Sequence, residues 1–191
     1  MELLPVHTTR LVLRRFSTDD LTAFQAYRSD PDLAPYQDWQ PTSDEQAWAF
    51  LFGQTQQVFG AAGQWLQVAV TRRDTGEVIG DLGLCVVDES GGRVTLGFTL
   101  ARSAQGRGYA TEAVTGLLDA LLGQGRARAV VAVTDVRNAA AVALLRRVGF
   151  VHEGTAEAKF RGEPCQEHTF VLTGERWARQ PRGEQSAGTG G

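Results

Sequence analysis

Between Trp65 and Ala101 the chain carries three strand-length apolar runs, "WLQVAVTR", "VIGDLGLCVV" and "VTLGFTLA", separated only by the turn-rich stretches "RDTGE" and "DESGGR". Runs of that length, rich in β-branched and aromatic residues and joined by short glycine-bearing connections, form an antiparallel meander. The period then changes. "GYATEAVTGLLDALLGQG" repeats its apolar residues at helical spacing, "ARAVVAVTD" is a short buried strand, and "NAAAVALLRRVGF" is a helix closed by Gly149. A meander running into a strand-helix-strand-helix unit restricts the fold to a mixed sheet of the α+β or α/β kind, with helices on its faces.

The flanking segments fit that frame. "RLVLRRF" alternates as a first strand, and "STDDLTAFQAYRS" supplies capping residues followed by Leu21, Phe24 and Tyr27 at helical spacing. Pro31, Pro35 and Pro41 bracket an irregular connection that holds Tyr36 and Trp39, after which Trp48, Leu51, Phe52 and Phe59 mark a second helix. An aromatic pair in such a loop either packs on the core or covers a ligand, so Tyr36 and Trp39 are candidate substrate-binding residues. "FVHEGTAEAKF" and "EHTFVLTGERW" read as closing strands around the turn "RGEP", and no internal repeat is present. The 191 residues, 42% hydrophobic and 21% charged, suit one domain over 1–177, with the polar, glycine-rich 178–191 expected as a disordered tail.

Composition narrows function. A formal net charge of −3 with scattered arginines gives no footprint for nucleic acid or an anionic membrane. No apolar stretch reaches the ~20 residues of a membrane span and the amino terminus lacks signal-peptide order, so a cytoplasmic protein is expected. Cys85 and Cys165 form no CxxC pair, and His7, His152 and His168 show no metal-ligand spacing, so no metal is expected.

One stretch asks for a ligand. "QGRGYATEA", Gln105 to Ala113, joins the last meander strand to a helix start whose first N–H groups have no internal partner. Gly106 and Gly108 let an anion approach the backbone, the helix dipole favours negative charge, and Arg107 and Arg102 add charged donors. A P-loop would need Lys and Ser or Thr after its last glycine, where Tyr109 and Ala110 stand. The dinucleotide fingerprint would need Gly or Ala at Thr111 and does not follow a meander.

With Gln105, Gly108 and Ala110 the loop satisfies the pattern Q/R-x-x-G-x-G/A of the GNAT superfamily of N-acetyltransferases. The continuation "YATEA", the later "DVRNAAAVALLRRVGF", and the early "TTRLVLRRF" and "SDPDLAPYQDW" resemble its RimJ/RimL-type branch, which includes ribosomal-protein N-terminal acetyltransferases. The similarity covers roughly residues 8 to 177. It implies a mixed, mostly antiparallel twisted sheet of about seven strands with flanking helices, splayed between strands 4 and 5. It also implies a homodimer and acetyl-CoA as co-substrate. The pyrophosphate would rest on Gln105, Gly106, Arg107, Gly108, Tyr109, Ala110 and Thr111. The pantetheine arm would run along Phe98, Thr99, Leu100 and Arg102 and reach Asn138, with a backbone N–H near Leu100 as oxyanion donor. Asn138 reads equally well as the N-cap of the helix that follows it.

The implied reaction is acetyl transfer to a primary amine by direct attack in a ternary complex. Relatives often place a Tyr or Ser acid where this chain has Ala141 and Leu145, so Tyr109 or Tyr36 would protonate the thiolate, or CoA leaves unassisted. Asp81 and Glu167 are candidate bases, whereas Glu112 is explained by the helix dipole, and Arg146 and Arg147 by the opposite helix end. Without a strong base an α-amine (pKa ~8) is easier to deprotonate than lysine (~10.4), by ~3 kcal/mol. The acceptor is therefore expected to be a protein N-terminus or a small amine. A non-catalytic CoA-binding or sensing domain is the alternative.

Overall fold

The computed structural model describes residues 2–36, 43–88 and 92–181. Eight strands form one sheet: β1 (Val6–His7), β2 (Leu11–Arg15), β3 (Trp65–Arg72), β4 (Val78–Val86), β5 (Arg93–Leu100), β6 (Ala129–Asp135), β7 (Val151–Phe160) and β8 (Glu163–Thr173). Their order is β1-β2-β3-β4-β5-β6-β8-β7, and every neighbouring pair is antiparallel except β5 with β6. The helices described are α1 (Leu21–Arg28), α2 (Asp44–Gln56), α3 (Tyr109–Leu118), α4 (Ala139–Val148) and α5 (Gly174–Ala178), and α3 continues as a π-turn over Asp119–Gly123.

Strand alternation decides what each sheet face does. Leu66, Val68 and Val70 of β3, Leu82 and Leu84 of β4, and Val94, Leu96 and Leu100 of β5 project to one side. There they bury with Val114, Leu117 and Leu118 of α3 and Leu144 and Leu145 of α4 in the larger core. The residues between them, Trp65, Gln67, Ala69, Asp81, Gly83, Thr95, Gly97 and Thr99, share the opposite face. A smaller core of Phe16, Phe24, Tyr27, Ala47 and Leu51 closes over that face only near Ala69 and Val78. The rest of the small and polar face stays open, and this gap in the packing creates the site.

Two irregularities shape the gap. Parallel pairing of β5 with β6 is limited to Arg93, Val94 and Thr95 against Ala129, Val130 and Val131, after which the strands diverge. On the other side of β5, the register of β3 against β4 slips near Gly80, whose φ is 155°. A Cβ there would lie 2.2 Å from the Thr99 carbonyl oxygen, so only glycine lets β4 lie against β5 at this point.

The structure differs from the sequence reading in four places. A short β1 precedes the expected first strand, giving eight strands. In α2 the buried stripe is Ala47, Leu51 and Gln54, while Trp48 and Phe52 stay about half exposed and stack on each other at 5.0 Å. The last hairpin turns on Arg161 and Gly162, both with positive φ as a two-residue turn demands, and strand pairing already resumes at Glu163 and Pro164. Ordered contacts also pass residue 177, because α5 ends at Ala178 and the Gln180 amide donates to the Val148 carbonyl. Trp39 and 182–191 lie outside the described residues.

Candidate active site

Where β5 and β6 part, a cleft of about 500 Å³ opens. Thr95 to Thr99 form one wall, Ala132 to Asp135 with Asn138, Ala141 and Leu145 the other, and Trp65, Gln67, Asp81 and Gly83 the floor toward β3. Two hydrogen bonds, from Val87 N to Arg93 O and from Ala101 N to Ile79 O, fix the phase of the β4/β5 ladder. Odd-numbered residues of β5 therefore bond to β4, and the N–H groups of Phe98 and Leu100 turn toward β6, which has already left. The Leu100 carbonyl accepts from the Gln105 side-chain amide at 3.0 Å, which ties the strand end to the loop beyond it.

That loop turns through Arg102–Ala104 and reaches α3 with Gly106 at φ 72° and Gly108 at φ 79°. The left-handed values need glycine, and nothing lies within 4 Å of where a Gly106 Cβ would be. The N–H groups of Gly106, Arg107 and Gly108 have no hydrogen-bond partner among the described residues, and those of Tyr109, Ala110 and Thr111 begin a helix. Open space beside unpaired donors fits a phosphate-bearing ligand. Arg107 is exposed beside it, and Arg102 is exposed but pairs with Asp32.

A clamp from the far edge of the sheet holds this loop. Glu112 accepts hydrogen bonds from Thr8 Oγ1 at 2.6 Å, from the Arg10 N–H at 2.6 Å and from Arg10 Nε at 2.7 Å. Arg10 also donates to the Arg107 carbonyl at 3.1 Å and lies 4.4 Å over the Tyr109 ring. Burial alone would raise the Glu112 pKa, but these donors outweigh it and hold the carboxyl below its ordinary range. Glu112 thus does more than complement the dipole. Nothing in local sequence links positions a hundred residues apart.

The candidate acids and bases separate by environment. Asp81 is buried, with Arg28 Nη2 at 2.7 Å from one carboxylate oxygen and the Tyr27 hydroxyl at 2.6 Å from the other. Its oxygens accept from both groups, and through them Asp81 anchors Arg28 of α1 to β4. Burial, then the negative charge of Asp81, push the Tyr27 phenol well above its usual pKa, keeping it a donor. The Tyr109 ring packs against the larger core under Arg10, and Tyr109 is not among the residues that line the cleft. Glu167 does line the cleft, opposite Asp135, and carries no ion pair or hydrogen bond from its side chain among the described residues. Asp135, by contrast, is taken by Arg137, whose hydrogen bonds hold the carboxyl low.

Asn138 caps α4, its side chain accepting from the Ala141 N–H at 3.1 Å, and also lines the cleft. Ala141 and Leu145 bring no polar atom to it, whereas Tyr36 stands at the mouth with its hydroxyl 3.5 Å from the Arg137 carbonyl. His152 and His168, unrelated in sequence, meet across β7 and β8 at 3.1 Å. Among the described residues no group of three or more His, Cys, Asp or Glu is placed to hold a metal ion. No described helix is long and apolar enough to cross a membrane.

Residues 10–151 match the family described as "Acetyltransferase (GNAT) domain". The chain is 28% identical over 176 residues to a protein described as the uncharacterized N-acetyltransferase p20 of Bacillus licheniformis, covering 91% of this chain and 98% of that one. Its fold is similar to that of a GNAT-family acetyltransferase from Bacillus anthracis, with a TM-score of 0.79 and 18% identity over 90% of this chain and 99% of the other. It is also similar to RimL, a ribosomal L7/L12 alpha-N-protein acetyltransferase, solved in complex with coenzyme A. That TM-score is 0.75, with 21% identity over 88% of this chain and 96% of the other.

Proposed function

The chain belongs to the GNAT acetyltransferase family and is an acyl-CoA-dependent N-acetyltransferase, and from that premise we propose that it acetylates a primary amine by direct attack within the β5/β6 cleft. The observation that carries this reading is the pair of β5 N–H groups, Phe98 and Leu100, aimed into a gap that Glu167 also faces. Bound acetyl-CoA supplies the acyl group as a thioester.

The residues of the chain divide the remaining work. The N–H groups from Gly106 to Thr111, with Arg107, hold the phosphates, and the free edge of β5 and Asn138 orient the extended arm. The N–H of Phe98 or Leu100 donates to the carbonyl oxygen as negative charge develops on it. Glu167 accepts a proton from the bound ammonium and so frees the neutral amine to attack, taking the role that the Arg28 contact denies to Asp81. Tyr36 lines the cleft and its hydroxyl donates to the departing sulfur; without it the thiolate, of pKa ~8.5, still departs. The acceptor is an α-amino group of a protein or a small-molecule amine.

The test measures CoA thiol release with an amine panel, on wild type and Glu167→Gln, alongside an acetyl-CoA thermal shift. The proposal predicts that Glu167→Gln keeps the thermal shift and lowers kcat by about 10²-fold or more. Binding without turnover for every amine would establish the non-catalytic alternative, and an unchanged kcat would remove Glu167 as the base.

A further inference from the structure

The floor of the cleft, beyond the point of acetyl transfer, has a chemistry of its own. Gln67, Gly83 and Gly97 are successive partners across β3, β4 and β5. The Trp65 indole lies across the two glycines: a Cβ on Gly83 would meet its Cε3 at 3.1 Å, and one on Gly97 its Cζ3 at 4.0 Å. One face of the ring therefore rests on bare backbone while Trp65 as a whole remains 44% exposed. Phe50 and Tyr36 line the same space. A large aromatic side chain left open on glycines within a cleft is a stacking platform.

Beside the platform sits an unmet polar group. Gln67 Oε1 is shielded from solvent and has no hydrogen-bond partner among the described residues, although its backbone N–H is satisfied by Gln54 Oε1 at 2.8 Å. A buried polar atom without a partner needs an explanation, and a ligand meets it only once the amide turns that oxygen to the cleft. The terminal amide torsion is soft and roughly two-fold, so a half-turn presents either edge to the cleft. A hydroxyl, which both donates and accepts, satisfies either edge. Gln67 stands two strands from β5, about 9–10 Å away at the usual interstrand spacing. The charges of the floor cancel in the Arg28–Asp81 pair, which leaves Glu167 for a single ammonium.

Resting on the acetyl-transfer reading, we propose that the acceptor is a small primary monoamine on a flat aromatic ring with a hydroxyl at its far end. The ring stacks on Trp65, the hydroxyl bonds Gln67, and the amine reaches Phe98 and Glu167. An amine, a two-carbon link and a para-hydroxyphenyl ring have about the required reach.

The probes are tyramine, phenethylamine, hexylamine, spermidine and a serine-initiated peptide, each assayed for CoA thiol release. Wild type should favour tyramine over phenethylamine by about tenfold in kcat/KM, the size expected when a buried acceptor gains one hydrogen bond. In Gln67→Leu that preference should fall to about unity while phenethylamine turnover persists, and Trp65→Ala should raise KM for both aromatic amines by more than it raises KM for hexylamine. If Trp65→Ala misfolds, the Gln67→Leu ratio decides by itself. Preferential turnover of hexylamine, spermidine or the peptide overturns the inference and leaves acetyl transfer intact. No turnover with any amine, despite a thermal shift with acetyl-CoA, overturns both.

Discussion

Removing the Glu112 carboxylate tests whether the loop is held from the opposite edge of the sheet. Glu112→Ala deletes the acceptor of three hydrogen bonds, from Thr8 Oγ1, the Arg10 N–H and Arg10 Nε. A hydrogen bond to a charged acceptor contributes about 1.5–3 kcal/mol, but the Arg10 side chain is 45% exposed, so its ion pair counts for about 1 kcal/mol at most. With Thr8 and the Arg10 N–H partly rehydrated after the change, the net loss is about 2–3 kcal/mol, a fall in Tm of about 4–12 °C for a chain of this size. The released Arg10 also stops fixing the Arg107 carbonyl, and about 1 kcal/mol of lost preorganisation raises KM for acetyl-CoA about fivefold. Differential scanning calorimetry and acetyl-CoA saturation kinetics read the two effects. The folded-state pKa of Glu112 is lowered, so its stabilisation is present above the unfolded value of about 4.3 and lost as pH falls through the folded one. The gap in Tm between wild type and variant should hold from pH 6 to 8 and close on acidification below about 4. Equal Tm and equal KM at pH 7 would refute the clamp.

Other substitutions separate structure from chemistry. Asp81→Asn leaves the buried Arg28 without its counter-charge and should cost about 3–5 kcal/mol, roughly 6–20 °C in Tm, while kcat of the folded fraction changes by less than about threefold. A large kcat loss at unchanged Tm would restore Asp81 as a base. Tyr109→Phe keeps the ring under Arg10 and should leave kcat within about twofold, whereas a drop of tenfold or more would make Tyr109 the acid. Gly106→Val forces a β-branched residue into a left-handed conformation, costing about 1–2 kcal/mol by thermal melt, and fills the open space above the loop, so acetyl-CoA should no longer shift the Tm of the variant.

The elements that sequence determined are those whose cause is local. The strand-length apolar runs of β3 to β5, the period change after Ala101, the paired glycines at 106 and 108 and the Asn138 cap each follow from a few consecutive residues, and all appear where their pattern put them. The glycine loop was legible because a left-handed backbone before a helix leaves a mark in residue type. The α2 stripe misled because Trp48 and Phe52 pack on each other at the surface, and helical period alone does not say which face is covered. Tertiary structure decided which carboxylate is available: Asp81 and Glu167 are equal as letters, and only the approach of α1 engages one and leaves the other facing the cleft. It also joined Thr8 and Arg10 to Glu112, and set Trp65 on Gly83 and Gly97. Strand pairing and helix docking bring distant residues within hydrogen-bond range, and that energy depends on distances in space which no spacing along the chain encodes.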